Sequence, residues 1–342
     1  MPTRDRLLAC TVALLWGVNF VAIDFGLRQF PPLFFAGLRF AVLAIPTVLL
    51  VPRPAVPLRW LAGYGLGFGT TQFAFLFIAM RIGMPPGLAS LVLQASAPFT
   101  VLLGAIFLHE RPRAVQLIGI GLAVAGMAAI VWHRAQLAAA LPVLLTLCGA
   151  LGWAVGNLCS RQAMASGSAS RSANPLHLTL WMSVIPPVPL FTLSLLIEGA
   201  PADVHSMATI ATRTGWVALG SLVYVVLLAT VLGSGVWTTL MRRHPAGMVA
   251  PFSLLVPVVG IAAAWLVLGE RPALMELLAG VVVVTGVLLG TRRRRQLPTP
   301  TEPLPEIIGA GNEPASRTAD LSTSATVMHS RSNPPHPTEQ PR

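Results

Sequence analysis

Glu110-Arg111-Pro112, followed by Leu117, Val124 and Gly126, recurs as Glu270-Arg271-Pro272, followed by Leu277, Val284 and Gly286, and one shift of 160 residues aligns the two sets. Each copy lies near the end of one half of the chain, between apolar runs. Near the start of each half an apolar run carries Trp and then Asn, as Trp16-Gly17-Val18-Asn19 and as Trp153-Ala154-Val155-Gly156-Asn157. The chain therefore reads as a degenerate duplication. Each half holds five apolar runs, an odd number, so the second copy must be inverted relative to the first. Inverted-topology repeats recur in secondary transporters, which place the substrate site near the membrane midplane at the repeat interface.

The composition requires a membrane. Of 342 residues, 54% are hydrophobic and 10% charged, against about 25% charged in a soluble domain. Apolar runs of about 20 residues recur, the length that crosses roughly 30 Å of hydrocarbon. Helices are the form expected, because their backbone bonds close within the segment. The alternating segments of about 10 residues that a barrel needs do not recur. The predicted spans are 7–27, 33–51, 60–80, 86–108, 114–132, 140–161, 176–197, 214–237, 246–268 and 273–290, punctuated by Pro31-Pro32, Pro52-Arg53-Pro54, Pro85-Pro86 and Arg111-Pro112. The expected fold is an all-α membrane protein of ten transmembrane helices. Its two inverted five-helix repeats would occupy 7–132 and 139–290. Residues 291–342, rich in Pro, Ser, Thr and Glu, read as a disordered cytoplasmic tail.

The net charge is +11 and all 23 basic residues are arginine. They lie between apolar runs rather than in one stripe, which points to the positive-inside rule and away from nucleic acid. With ten spans and cytoplasmic termini, the inside segments hold Arg4, Arg6, Arg53, Arg59, Arg111, Arg113, Arg161, Arg171, Arg242, Arg243 and Arg292 to Arg295. The outside loops hold only Arg28, Arg81, Arg134, Arg213 and Arg271. Without lysine the chain has no Walker A loop of its own. Cys10, Cys148 and Cys159 lack metal-ligand spacing and read as small packing residues. Arg4 and Arg6 before a long apolar run resemble a signal sequence, but the run reads as a retained first helix.

Trp16-Gly17-Val18-Asn19-Phe20, Ala36-Gly37-Leu38-Arg39-Phe40, Gly87-Leu88-Ala89-Ser90-Leu91-Val92-Leu93-Gln94 and the Glu-Arg-Pro hairpin together resemble the EamA family of the drug/metabolite transporter superfamily. Gln72-Phe73-Ala74-Phe75-Leu76-Phe77 and Pro251-Phe252-Ser253-Leu254-Leu255-Val256-Pro257-Val258-Val259-Gly260 bring the likeness nearest to members that export O-acetylserine and cysteine. The resemblance covers about residues 5–290. It implies a plasma-membrane carrier that moves cysteine, O-acetylserine or related amino-acid metabolites outward.

Several residues are candidates for the site. Pro98 and Pro257 lie near the centres of the fourth and ninth spans, corresponding helices of the two halves. A mid-helix Pro frees a carbonyl and opens a kink, and paired interruptions of this kind mark transporter sites. A packing kink with no ligand contact is the competing reading. Gln94 lies one turn before Pro98 on the same face, with Ser96 and Ser253 nearby. Trp16 shares a face with Asn19, and Trp153 with Asn157. A neutral amide in the bilayer needs a partner, either another helix or a substrate. Gln72 with Phe73, and Tyr224 with Trp237, are further candidates, although Trp237 also suits an interfacial anchor. By the resemblance, Trp16, Asn19, Gln72, Gln94, Trp153, Asn157 and Ser253 line the cavity.

Arg39 is the arginine within a span, and leaving it unpaired near the centre would cost about 2.5–3.5 kcal/mol. An interhelical Asp24–Arg39 pair is expected to hold it. The rivals are a substrate carboxylate on Arg39 and an Arg28 partner for Asp24 one turn on. Glu110 and Glu270 read as helix-start carboxylates ahead of Pro112 and Pro272. Asp24 and Glu276 are the expected intramembrane carboxylates, both near the edges, so the sequence favours a facilitator or exporter over obligate proton coupling. No metal and no cofactor is expected. Gly233-Ser234-Gly235 lacks the first glycine and the membrane histidine of an intramembrane serine protease, so an enzyme is not expected. The alternatives are an exporter of other small metabolites or drugs, with or without proton-coupled antiport, and a channel or scaffold. The expected partners are a small neutral or zwitterionic substrate and the lipid bilayer, with the chain a monomer or weak homodimer.

Overall fold

The computed structural model describes residues 1–136, 139–166, 174–244 and 246–291. Arg171, Arg292 to Arg295 and the expected tail from 292 on lie outside the described residues. Among the described residues nine helices are long and apolar enough to cross a membrane: α1 (Thr3–Leu27), α2 (Pro32–Leu50), α3 (Leu58–Arg81), α4 (Pro86–Phe107), α5 (Ala114–Gln136), α6 (Ala140–Ala165), α7 (Pro175–Ala208), α8 (Arg213–Arg243) and α9 (Pro251–Leu268). A further helix, α10 (Leu274–Thr291), has a shorter apolar part, Leu274–Leu289. Proline occupies the first turn of α2, α4 and α7, where its missing N–H removes no intrahelical bond. The prediction ended the seventh span at 197. Instead α7 bends at Ser183–Pro186, runs through a π turn, Leu195–Gly199, breaks at Gly199 (φ 85°) and resumes as a short helix, Ala200–Ala208. In the ninth segment the apolar helix begins at Pro251 rather than 246, after a short turn, Ala246–Val249.

The duplication is written into the backbone. The third helix of each half carries a π turn, Gly65–Thr71 in α3 and Tyr224–Gly233 in α8. The fourth carries a 3₁₀ turn ahead of its proline, Leu93–Ala95 before Pro98 and Ala250–Leu254 before Pro257. A proline cannot bond the carbonyl four residues back, here that of Gln94 or Ser253. The Ser96 and Leu255 amides bond those carbonyls instead, which tightens the turn. The Glu-Arg-Pro turns also match. A left-handed residue precedes each one, His109 (φ 54°) and Gly269 (φ 70°), with the next amide returning to the Gly104 or Ala264 carbonyl. Only glycine takes this conformation without a Cβ penalty, so the His109 copy carries the strain. The Gln116 side chain accepts from the Arg113 N–H, and Glu276 accepts from that of Ala273, the same back-cap in each copy.

The two glutamates of the turns were expected to serve their own following helices, but both reach other elements. Glu110 pairs with Arg161 on α6 at 2.9 Å. Glu270 accepts the Gly87 N–H at the start of α4 at 3.2 Å. Burial pushes the Glu270 carboxyl above its usual range, Asp24 and Glu276 add to that, and the Gly87 N–H and Arg134 oppose it.

Corresponding helices pack antiparallel. A Cβ on Gly126 would sit 2.6 Å from Val283 Cγ2 and 2.8 Å from the Ala279 carbonyl. A Cβ on Gly286 would sit 2.6 Å from the Ala123 nitrogen and from the Gly119 carbonyl. The two sets of contacts interchange under the repeat shift, as across a two-fold axis. Arg134 near the end of α5 reaches Glu276 near the start of α10 at 2.6 Å, which fixes the opposed directions. α2 and α7 behave alike. Glu198 accepts the Leu33 and Phe34 amides at the start of α2, at 2.7 and 3.1 Å, and Trp181 donates to the Val51 carbonyl at its end, at 3.0 Å. Close approach through small residues is how helices gain contact where lipid is as apolar as the side chains.

Gly126→Leu is expected to destabilise the folded protein by about 1–3 kcal/mol through overpacking against α10, read as a lower unfolding midpoint in detergent. A raised pKa at Glu270 means stability that is present at acid pH and lost as pH rises through the folded pKa. Glu270→Gln, which still accepts from Gly87, should therefore unfold at a higher temperature than wild type at pH 7. The gap should close as pH falls through the carboxyl range, and a gap independent of pH would reject this account.

Candidate functional site

Arg39 sits in the middle of α2 and is 7% exposed. The expected Asp24–Arg39 pair is not formed. Asp24 instead bonds Arg28 one turn on in α1, at 2.7 Å, a pair within one helix end where Arg28 keeps its hydration. Arg39 reaches toward α3 and α8. Its guanidinium lies over the Phe73 ring, 3.9 Å from the centroid, and 5.3 Å from that of Phe40. Its Nη2 donates to Thr230 Oγ1 at 3.1 Å, while Nε and Nη1 are buried with no hydrogen-bond partner. The Thr230 hydroxyl proton is engaged by the Val225 carbonyl at 2.8 Å, an i−5 bond inside the α8 π turn, so its lone pairs face the cation. Cation–π attraction contributes about 0.5–2 kcal/mol, less than the cost of a fully unpaired arginine at this depth.

From the residues that touch Arg39, contacts run on into both halves. The Trp16 indole donates to the Ala229 carbonyl, the residue before Thr230, at 2.9 Å. Its ring meets Trp237 at 5.2 Å, so Trp237 packs on α1 rather than serving only as an anchor. Tyr224 donates to the Leu15 carbonyl at 3.0 Å. On the other side Phe73 meets Phe68 edge-on at 5.9 Å, and Phe68 meets Trp153 at 5.8 Å. Gln72, next to Phe73, is buried with no partner for its Oε1, and the Oδ1 of Asn19 is likewise buried and unpartnered.

The remaining predicted residues divide. Asn157 donates to Thr100 at 3.3 Å and joins α6 to α4, the helix-linking reading of its amide. Gln94 and Ser253 are half-buried at the carbonyl positions that Pro98 and Pro257 leave without a ladder donor. Thr230 and Phe68 were not foreseen, since an isolated threonine or phenylalanine in an apolar run carries no sequence signal. Glu198 was missed for a different reason: the predicted span ended just before it. Ser194, wholly buried, contacts both Glu198, at 2.7 Å, and Asp203, at 2.9 Å. At one end of the bundle a cavity of about 250 Å³ is lined by Gly87, Arg134, Glu270, Arg271 and Glu276 among others. Among the described residues no cluster of His, Cys, Asp or Glu could hold a metal ion.

Residues 6–132 and 140–292 each match the EamA-like transporter family. A protein of Escherichia coli K12 named "probable amino-acid metabolite efflux pump" is 44% identical over 293 residues, 84% of this chain and 95% of that one. A "probable terminal-alkyne amino-acid exporter" of Streptantibioticus cattleyicolor is 28% identical, covering 83% of this chain and 94% of that one. A solved crystal structure at 19% identity superposes with a TM-score of 0.55 over 85% of this chain and 98% of that chain, which shows a shared fold. With both halves matched and the helical scaffold shared, the chain is a multi-pass membrane protein that belongs to the EamA-like transporter family.

Proposed function

We propose that this protein exports small amino-acid metabolites, of the cysteine and O-acetylserine kind, by alternating access. In this reading α1–α10 all span the inner membrane as two inverted five-helix repeats, with both termini cytoplasmic. The observation that carries the exporter reading is the full-length kinship with the Escherichia coli efflux pump. The antiparallel pairing of α5 with α10, and of α2 with α7, supports inversion, because corresponding helices of an inverted repeat must cross in opposite senses. α10 has 18 residues, about 27 Å at 1.5 Å per residue, close to the roughly 30 Å of hydrocarbon.

Trp16, Asn19, Gln72, Gln94, Trp153, Asn157 and Ser253 would line or border the site, with Pro98 and Pro257 as the kinks beside it. Access from one side would close through Glu198 on α2 and Glu270 on α4, carboxylates of the second half that hold helix starts of the first. Rocking the halves apart at that end would break these bonds. The chain would act as a monomer or weak homodimer on a small-molecule substrate, with no role for nucleic acid. Proton-coupled antiport is a second reading. It would draw on Glu198 and Asp203, two carboxylates that meet at the buried Ser194 hydroxyl toward the C-terminal end of α7.

Counterflow in proteoliposomes loaded with cysteine or O-acetylserine should show saturable uptake by wild type. Gln94→Ala, folded by its unfolding midpoint, should lose it. Absence of uptake of both compounds by folded wild type would remove the amino-acid assignment. Dependence of the rate on an imposed pH gradient would favour antiport.

A further inference from the structure

We propose that Arg39 binds the carboxylate of the transported metabolite. The inference rests on the exporter reading and names the group of the substrate that this site recognises.

Arg39 is a guanidinium more than nine-tenths buried, with two of its three nitrogens lacking any hydrogen-bond partner. The structure gives it no carboxylate: Asp24 is committed to Arg28, Glu110 to Arg161, and Glu276 to Arg134. What it does have is a ring face beneath it and one neutral oxygen beside it. A cation in such a place is oriented but not neutralised. The planar fork of a guanidinium matches a carboxylate through two parallel N–H donors. Nε and Nη1 are unused and each flanks Nη2, whose second N–H would complete the fork on the edge that Thr230 leaves open.

The unpartnered acceptors on the flanking helices suit a zwitterion better than a simple anion. Besides Arg134, whose Nε lies 2.6 Å from Glu276, the other described side chains with a buried, unpartnered polar atom are Asn19 and Gln72. Each presents a carbonyl oxygen, an acceptor for an ammonium. They lie on α1 and α3, the helices on either side of Arg39 in the chain. Gln72 adjoins Phe73, on which Arg39 rests. Asn19 is one turn from Trp16, which bonds the residue next to Thr230. Idle donors on α2 and idle acceptors on α1 and α3 are the group types that an amino acid's carboxylate and ammonium require. Thr230 lies in the α8 π turn of the second half, so a carboxylate that competes for Arg39 would loosen its one hydrogen bond to that half.

The test is uptake of labelled cysteine into proteoliposomes, competed by cysteine and by cysteamine, which lacks the carboxylate. It uses wild type, Arg39→Lys, Arg39→Gln and Thr230→Val, with unfolding midpoints measured beside uptake. In wild type, cysteine should compete at least about tenfold better than cysteamine, as loss of a charge-assisted contact predicts. Arg39→Lys should raise KM about tenfold with Vmax kept, because a lysine offers no fork. Arg39→Gln should lose saturable uptake without a lower unfolding midpoint, since it removes a buried cation that has no counter-ion. Thr230→Val should keep the preference for cysteine. Equal competition by the two compounds in wild type would overturn the proposal. So would a folded Arg39→Gln protein with wild-type KM, or a fall in stability in Arg39→Gln and Thr230→Val alike with Arg39→Lys unchanged in KM. Wild type that carries cysteamine but no carboxylate-bearing compound would overturn this inference and leave the transporter reading standing. Wild type that carries neither would overturn the amino-acid exporter reading, and this inference with it.

Discussion

In the hydrocarbon core no water replaces a lost backbone hydrogen bond, so each departure from a regular helix must be satisfied within the protein. That constraint orders this structure. Pro98 and Pro257 each withhold a donor, and the chain answers with a 3₁₀ turn in which Ser96 and Leu255 bond the displaced carbonyls. The α8 π turn spends its freedom on Thr230, whose hydroxyl bonds the Val225 carbonyl and so turns its lone pairs to Arg39. Where helices begin, their open amides take carboxylates from the opposite half: Glu198 for α2 and Glu270 for α4. An anion at a helix start also meets the positive end of the dipole.

The same constraint explains why the halves are joined as they are. Apolar side chains gain little by leaving lipid for one another, so association depends on close packing and on polar contacts. Gly126 and Gly286 let α5 and α10 approach until a Cβ would meet backbone. α3 and α6 do the same through Gly67, Gly152 and Gly156. The polar contacts are few and lie mostly near the helix ends: Arg134 with Glu276, Glu110 with Arg161, and Asp5 with His244 at 2.6 Å. A bundle packed tightly along glycine seams and tied by polar contacts near its ends can exchange end contacts without repacking its centre. That is the mechanical requirement of the proposed alternating access.

Arg39 is the exception to this economy. The other buried charged residues among those described, Asp5, Asp203 and Glu276, each have a partner and no buried, unpartnered side-chain atom, whereas Arg39, bonded only to Thr230, keeps two idle donors over an aromatic ring. Departures from local rules in an otherwise consistent structure tend to fall at functional sites. Here the departure lies where side chains of α1, α2, α3 and α8 meet, with Trp153 of α6 reached through Phe68.

The sequence by itself determined the solvent, the helices and the duplication, because hydrophobic run length, proline position and a 160-residue shift are local or periodic signals. It also placed Trp16, Gln72 and Arg39 inside spans and matched the prolines of the two halves. Only the tertiary structure decided which partner each polar group takes. The sequence offered Asp24 either Arg39 or Arg28, and Arg28, one turn away at the end of its own helix, takes it. Glu110 and Glu270 share a motif yet reach different elements, an arginine in one case and a helix start in the other. Thr230 and Phe68 became part of the candidate site only when α8 and α3 were brought to Arg39. The physical reason is range. A helix is set by neighbours within four residues, whereas a buried charge is paired by side chains far along the chain, 191 positions away for Thr230 and Arg39 and 239 for His244 and Asp5, which no local pattern encodes.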